Sequence, residues 1–355
     1  MASALLPILG SPAAPLDGAQ ADGVERLTDG HSRILTDLRL SVTDRCNYRC
    51  VYCRSGDDGV VYKELPLDDY ARMLRVFVSL GIEKIRFTGG EPLLRAGLLD
   101  LIRETAQMRP AFSDNPLDLA LTTNGHLLAK LAKPLKQAGL NRITVSMDAV
   151  DPDTFTRITR VPRSFEHVRD GIRAAQDAGL GPVKVNCVLL RGFNDTQIEA
   201  FADFSRTEGV IVRFIEFMPL EEDKTWSPDT VVPMREIIAR LQAWRPLVAL
   251  PANHASETAR RFTFDDGLGE IGIIAPVSNP FCGHCSRVRL TADGKLRTCL
   301  FSQSDHDLVG RMHRGATDEE LRTWIRNVVL HKEARHHIGE PGFLKPSRNM
   351  VHIGG

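Results

Sequence analysis

The sequence predicts an α/β fold, a partial (βα)6 TIM-like barrel with a smaller C-terminal cluster-binding domain, on three observations. From about Leu38, short apolar or β-branched runs alternate with longer amphipathic ones, the pattern of repeated βα units around a parallel sheet. Six such units are too few for a closed eight-fold barrel and enough for a curved, open one. The unusual polar and glycine motifs follow strand candidates, which is where βα barrels carry their sites.

The elements run in order. The first strand candidate is Leu38 to Thr43, and the amphipathic stretch Leu67 to Leu80 leads to the second, Lys84 to Thr88. Helix Leu98 to Met108 precedes strand Leu117 to Thr123, and helix Leu127 to Ala138 precedes strand Arg142 to Asp148. Helix Phe165 to Ala178, strand Val183 to Leu190, helix Thr196 to Thr207 and strand Val212 to Met218 complete the series. Gly81, Gly139 and Gly179 close three of the helices as C-caps. After Pro219 the alternation fades into a charged, proline-bearing segment, so a barrel over residues 31–250 and a C-terminal domain over 251–355 are expected. Residues 1–30 have a short apolar patch without a basic region and with interrupting prolines, which reads as a disordered tail rather than a signal peptide.

Composition sets outer limits. Lys+Arg and Asp+Glu are equal at 45 in 355 residues, so no global field argues for nucleic acid or a membrane surface, although local arginine clusters could hold an anion. No apolar run approaches a membrane span, and no solenoid period or heptad is visible. Six of the seven cysteines lie in two short groups, unlike a secreted disulfide framework, and a reducing cytoplasm fits better.

The first group is Cys46, Cys50 and Cys53, in RCNYRCVYC. Three thiolates in so tight a loop suit one compact inorganic centre and leave it one ligand short. A structural zinc knuckle is the bland alternative, but it wants four protein ligands. C-x3-C-x2-C with Tyr52 before the last cysteine, followed by Gly89-Gly90-Glu91-Pro92 after the next strand, resembles the radical S-adenosylmethionine (SAM) superfamily. The loop exit, Arg54-Ser55, departs from the Met-Pro of many close relatives. The resemblance implies a [4Fe-4S] cluster on the three cysteines whose open iron chelates SAM. One electron then cleaves SAM to a 5′-deoxyadenosyl radical that abstracts a substrate hydrogen. It also implies that Tyr52, Gly90, Ser146 and Met218 line the SAM pocket.

The second group, Cys282, Cys285 and Cys299, again shows three thiolates without an obvious fourth ligand; a zinc ribbon borrowing His284 or His254 stays open. Arg287 and Arg289 stand at alternate positions of a probable strand and so point the same way. Forked guanidinium donors there suit a polyanionic or heterocyclic substrate. FCGHCSRVRLTADGKLRTC, with DLRLSVTDRCNYRCVYC and the final Gly354-Gly355, closely resembles the GTP 3′,8-cyclases of molybdenum cofactor biosynthesis over most of residues 35–302.

That resemblance implies a second [4Fe-4S] cluster that binds the guanine of GTP, and abstraction of the ribose C3′ hydrogen followed by attack on C8. It implies GTP contacts at Arg39, Arg86, Thr122, Lys184, Arg287 and Arg289, with Lys84 and Arg213 as further phosphate ligands. Arg39, Arg287 and Arg289 would act near the reacting nucleoside, and Gly354-Gly355 would thread into the same cavity as a side-chain-free tail. The implied partners are GTP, a flavodoxin- or ferredoxin-type electron donor and a downstream cyclic pyranopterin monophosphate synthase; a homodimer is allowed. Two rivals predict different things. A peptide-modifying radical SAM maturase would carry more C-terminal cysteines, and a non-catalytic zinc or Fe-S protein would not bind SAM. Cys187, centred in an apolar strand, is expected to be a small buried hydrophobe, and His126, His336 and His337 show no ligand geometry.

Overall fold

The structure, a computed structural model, describes residues 25–53, 62–221 and 225–354. All six predicted strands and all five predicted helices are present, with ends within two residues of those expected. The strands are β1 (Asp37–Ser41), β2 (Lys84–Thr88), β3 (Asp118–Thr123), β4 (Arg142–Ser146), β5 (Lys184–Leu189) and β6 (Ile211–Glu216). They pair in sequence order and in parallel. Between them run α1 (Leu67–Ser79), α2 (Leu98–Ala106), α3 (Leu128–Gln137), α4 (Pro152–Thr159), α5 (Phe165–Asp177) and α6 (Ile198–Glu208). The short α4 was not expected. Its start is set by Asp151, whose side chain accepts from the Thr154 N–H, and by Pro152 at the first helical position.

The expected C-terminal domain shares the barrel's own sheet, its strands extending that sheet at both edges. β9 (Glu270–Ile274) pairs in parallel with β6, and β10 (Arg287–Leu290) pairs in parallel with β1. The parallel array therefore has eight strands, β10-β1-β2-β3-β4-β5-β6-β9, and it stays open because β9 and β10 do not pair. β7 (Leu247–Leu250) and β8 (Arg260–Phe264) continue antiparallel beyond β9, and β11 (Lys295–Arg297) and β12 (His306–Asp307) beyond β10. Residues 275–286 cross from one edge of the array to the other. Of the expected tail, residues 25–30 belong to the fold, with Leu27 and Asp29 buried, while 1–24 lie outside the described residues.

Strand alternation divides the chemistry of the two faces. Leu38, Leu40, Ile85, Phe87, Leu119, Leu121, Val185, Cys187, Val212 and Phe214 all point outward into one core with the apolar sides of the helices. Each such side chain contributes roughly 1.5–3 kcal/mol on burial. The residues between them, Arg39, Arg86, Thr122, Thr144, Lys184 and Arg213, point inward and line a cavity. An inner face so rich in charge would not survive in a closed hydrophobic barrel.

Candidate active site

One cavity of about 600 Å³ opens inside the curved array, lined from all eight parallel strands or the segments just after them. Both cysteine triplets border it, as do all four residues expected at SAM and all eight expected at GTP. Gly354 is buried and its carbonyl accepts from Arg289, which lines the cavity, and Gly355 and Arg54-Ser55 lie outside the described residues.

The first cysteine loop leaves β1 and is pinned from several sides. Its Arg49 and Val51 N–H groups donate to the carbonyls of Thr159 and Ile158 in α4, at 3.1 and 3.0 Å. The Tyr52 hydroxyl donates to Asp148 Oδ2 at 2.8 Å, and Asp148 Oδ1 accepts from the Val188 N–H at 2.8 Å. Burial pushes the Asp148 carboxyl up to about 6. Sequence reading placed Asp148 at a strand end but not its clasp on Tyr52.

The Gly-Gly-Glu-Pro turn after β2 supports the same loop. The Gly90 and Glu91 N–H groups donate to the Thr43 and Arg45 carbonyls at 2.7 and 2.8 Å. The buried Glu91 carboxylate accepts from Leu93 N, Thr123 Oγ1 and Asn124 N, at 3.0, 2.7 and 2.7 Å, tying the β2 turn to the β3 turn. A Cβ on Gly90 would stand 2.4 Å from the Arg45 carbonyl oxygen, so any side chain must push the chain entering the cysteine loop. Gly90→Ala should therefore lower thermal stability by about 1–3 kcal/mol and reduce iron on the first triplet. A variant with wild-type melting temperature and iron content would show that the close approach is dispensable.

The cations form rows fixed by strand register. Arg289, Arg39 and Arg86 are register partners on three adjacent strands, and Arg287, Asp37 and Lys84 form the next row. Lys84 pairs with Asp37 at 3.0 Å, and Arg86 donates to Thr122 Oγ1 and Thr144 Oγ1 at 3.1 and 3.2 Å. Among the described residues no carboxylate lies within ion-pair distance of Arg39, Lys184 or Arg213. Burial, then the neighbouring cations Arg287 and Arg86, bring Arg39 down to about 10. Burial and the guanidiniums of Arg213, Arg142 and Arg86 bring Lys184 down to about 7. An anion entering this cavity relieves all of these strains at once.

Cys282 and Cys285 sit on the crossing segment and Cys299 just after β11. The Arg287 guanidinium donates to Cys285 Sγ at 3.4 Å. Burial pushes that thiol up, but Arg287 and Lys332 outweigh it and hold it near 7. None of the seven cysteines is joined in a disulfide. Among the described residues no three His, Cys, Asp or Glu side chains converge on a single ion, and His284 is exposed. A cubane takes each thiolate on a different iron. Arg142, Asn186, Lys332 and His336 also line the cavity. Arg142 and Asn186 follow the inward alternation of β4 and β5 and could have been found by it; Lys332 and His336 carried no such signal.

Three thiols beside a cavity at the C-terminal end of the first strand of an open parallel barrel define a radical SAM enzyme, and sequence comparison agrees. Residues 40–205 match the Radical SAM superfamily, and residues 210–338 match Molybdenum Cofactor Synthesis C. The GTP 3′,8-cyclase of Acidothermus cellulolyticus is 45% identical over 87% of this chain and 88% of its own length. That of Streptomyces coelicolor is 40% identical over 95% and 98%. The chain belongs to the GTP 3′,8-cyclase family, enzymes of molybdenum cofactor biosynthesis that use SAM and an iron-sulfur cluster. The fold alone is shared with Streptococcus suis SuiB bound to S-adenosylmethionine, with TM-score 0.61 and 12% identity over 84% of this chain and 68% of that one.

Proposed function

We propose that this chain converts GTP to (8S)-3′,8-cyclo-7,8-dihydroguanosine 5′-triphosphate with two [4Fe-4S] clusters, one on each cysteine triplet. The observation that carries the reading is the single cavity bordered by both triplets and by unpaired cations from several strands. Bound on Cys46, Cys50 and Cys53 beside Tyr52, Gly90, Ser146 and Met218, the cluster and SAM would supply the 5′-deoxyadenosyl radical that takes the ribose C3′ hydrogen. Cys282, Cys285 and Cys299 hold the second cluster at the guanine end, where Arg287 and Arg289 orient the base for closure at C8. Arg39 faces the ribose, and Lys84, Arg86, Lys184 and Arg213 take the triphosphate, Lys84 by exchanging Asp37 for phosphate. Charge-assisted bonds of this kind are about twice as strong as neutral ones. They fix C3′ near the radical and exclude water from it.

A flavodoxin- or ferredoxin-type protein would supply two electrons, one to cleave SAM and one that, with a proton, quenches the radical left after closure at C8, and a cyclic pyranopterin monophosphate synthase takes the product. No helix among the described residues is long and apolar enough to cross a membrane, and we place the reaction in the cytoplasm. Anaerobic reconstitution should give about eight irons per chain, and incubation with SAM, reductant and GTP should give the cyclised triphosphate with one 5′-deoxyadenosine each. Deoxyadenosine without any GTP-derived product would overturn the assignment.

Lys184 adds a pH dependence. Below pH 7 it is an ammonium ready for phosphate, and above pH 7 it must take up a proton as GTP binds. The KM for GTP should rise with pH above 7 by up to about tenfold per unit. Lys184→Arg, charged throughout, should flatten that rise; matching profiles for both proteins would exclude Lys184 as its source.

A further inference from the structure

Outside the motifs, one guanidinium is buried where three distant parts of the chain meet. Arg33 is 8% exposed, and all three of its guanidinium nitrogens donate. Nε donates to Asp29 Oδ2 at 2.6 Å, and Nη1 to the Cys282 and Ala334 carbonyls at 2.9 and 2.8 Å. Nη2 donates to the Glu333 carbonyl at 2.6 Å. Asp29 is itself held by the N–H groups of His31 and Arg33, at 2.9 and 3.0 Å.

The acceptors belong to the two halves of the second cysteine triplet. Cys282 lies on the crossing segment, whereas Cys299 follows β11. The segment Arg33 grips at 333–334 is locked to the residue before Cys299. Glu333 Oε2 accepts from Thr298 Oγ1 at 2.7 Å, and Lys332 Nζ donates to the Thr298 carbonyl. A continuous run of hydrogen bonds thus leads from Cys282 through Arg33 and Glu333 to Thr298. We infer that Arg33 is a positioning residue for the second cysteine triplet, setting the distance between Cys282 and Cys299 from the N-terminal arm. Only a planar guanidinium can serve three carbonyls and a carboxylate together; lysine is a single point donor. The inference rests on the reading of that triplet as a cluster site.

The test uses Arg33→Gln and Arg33→Lys in the full chain, reconstituted anaerobically. Iron should fall from about eight to about four per chain, with the first cluster's SAM-dependent spectroscopic change intact. Deoxyadenosine formation should continue, while cyclised GTP drops with the second cluster by at least about 10–100-fold, the usual cost of losing an outer-shell partner. In the metal-free protein, alkylation of Cys282 and Cys299 should accelerate while Cys46, Cys50 and Cys53 react as in wild type. A merely structural role would loosen both triplets together. Variants that keep both clusters and wild-type alkylation, or lose both clusters in parallel, overturn the inference. A wild-type chain holding only about four irons overturns the two-cluster reading instead, and the alkylation pattern alone then decides whether Arg33 orders the triplet.

Discussion

Arg289→Ala is expected to stop GTP cyclisation while 5′-deoxyadenosine continues to form. This guanidinium is buried at 6% exposure and donates through Nη1 to the carbonyls of Ile353, at 3.2 Å, and Gly354. Burial and the adjacent Arg39 and Arg287 hold it well below the usual guanidinium range. It therefore serves two partners, the Met350–Gly354 segment on one side and, in the proposed complex, the nucleotide on the other. Truncating one partner of a buried hydrogen-bonded charge costs about 2–5 kcal/mol, or roughly 30-fold to several-thousand-fold in rate. Gly354 makes the link separable. With φ +68° and a Cβ position 2.5 Å from Ser41 Oγ and 2.6 Å from Thr88 Cγ2, it accepts no side chain without moving. Gly354→Ala should share much of the Arg289→Ala loss, so the double variant should be little worse than Arg289→Ala alone. Full additivity in product formation would show that the guanidinium and the segment act separately.

Cys50→Ser is expected to remove deoxyadenosine formation itself, by at least about 10³-fold, since SAM would then have no iron on the first triplet to hold and reduce it. Burial lifts the Cys50 thiol well above its ordinary range in the metal-free protein, so this sulfur is a poor anion until iron takes it. Serine is a still harder ligand for a soft site. Cys282→Ser should leave deoxyadenosine formation standing and lose the cyclised product. Chromatography of deoxyadenosine and of the GTP-derived product in the same samples separates the two outcomes. Substantial deoxyadenosine from Cys50→Ser would remove the first triplet from the radical step.

Much of this was legible in the chain because the signals are local. Period-two alternation named β1 to β6 and set Arg287 and Arg289 on one side of a strand, while Arg39 and Arg86 came from the family resemblance. The cysteine spacings and the Gly-Gly-Glu-Pro turn marked the strand ends at one rim. What escaped is non-local. β9 and β10 are short and not preceded by amphipathic helices, so nothing in their neighbourhood says that they flank β6 and β1. Glu91 looked like part of a cofactor turn, whereas its carboxylate is occupied by three protein donors. Arg33 lies 249 residues from Cys282 and belongs to no motif; only the folded chain brings its fork to those carbonyls.

The shared sheet also bears on modularity. Two sequence families meet between residues 205 and 210, which invites treating the halves as exchangeable parts. Yet the second half supplies the strands that cap both open borders of the first, β6 on β5 and β10 on β1. Severed there, each fragment would bare long unpaired ladders of the kind that promote aggregation. A chimera would have to match hydrogen-bond register on two fronts simultaneously, so neither half can be exchanged without refitting both seams.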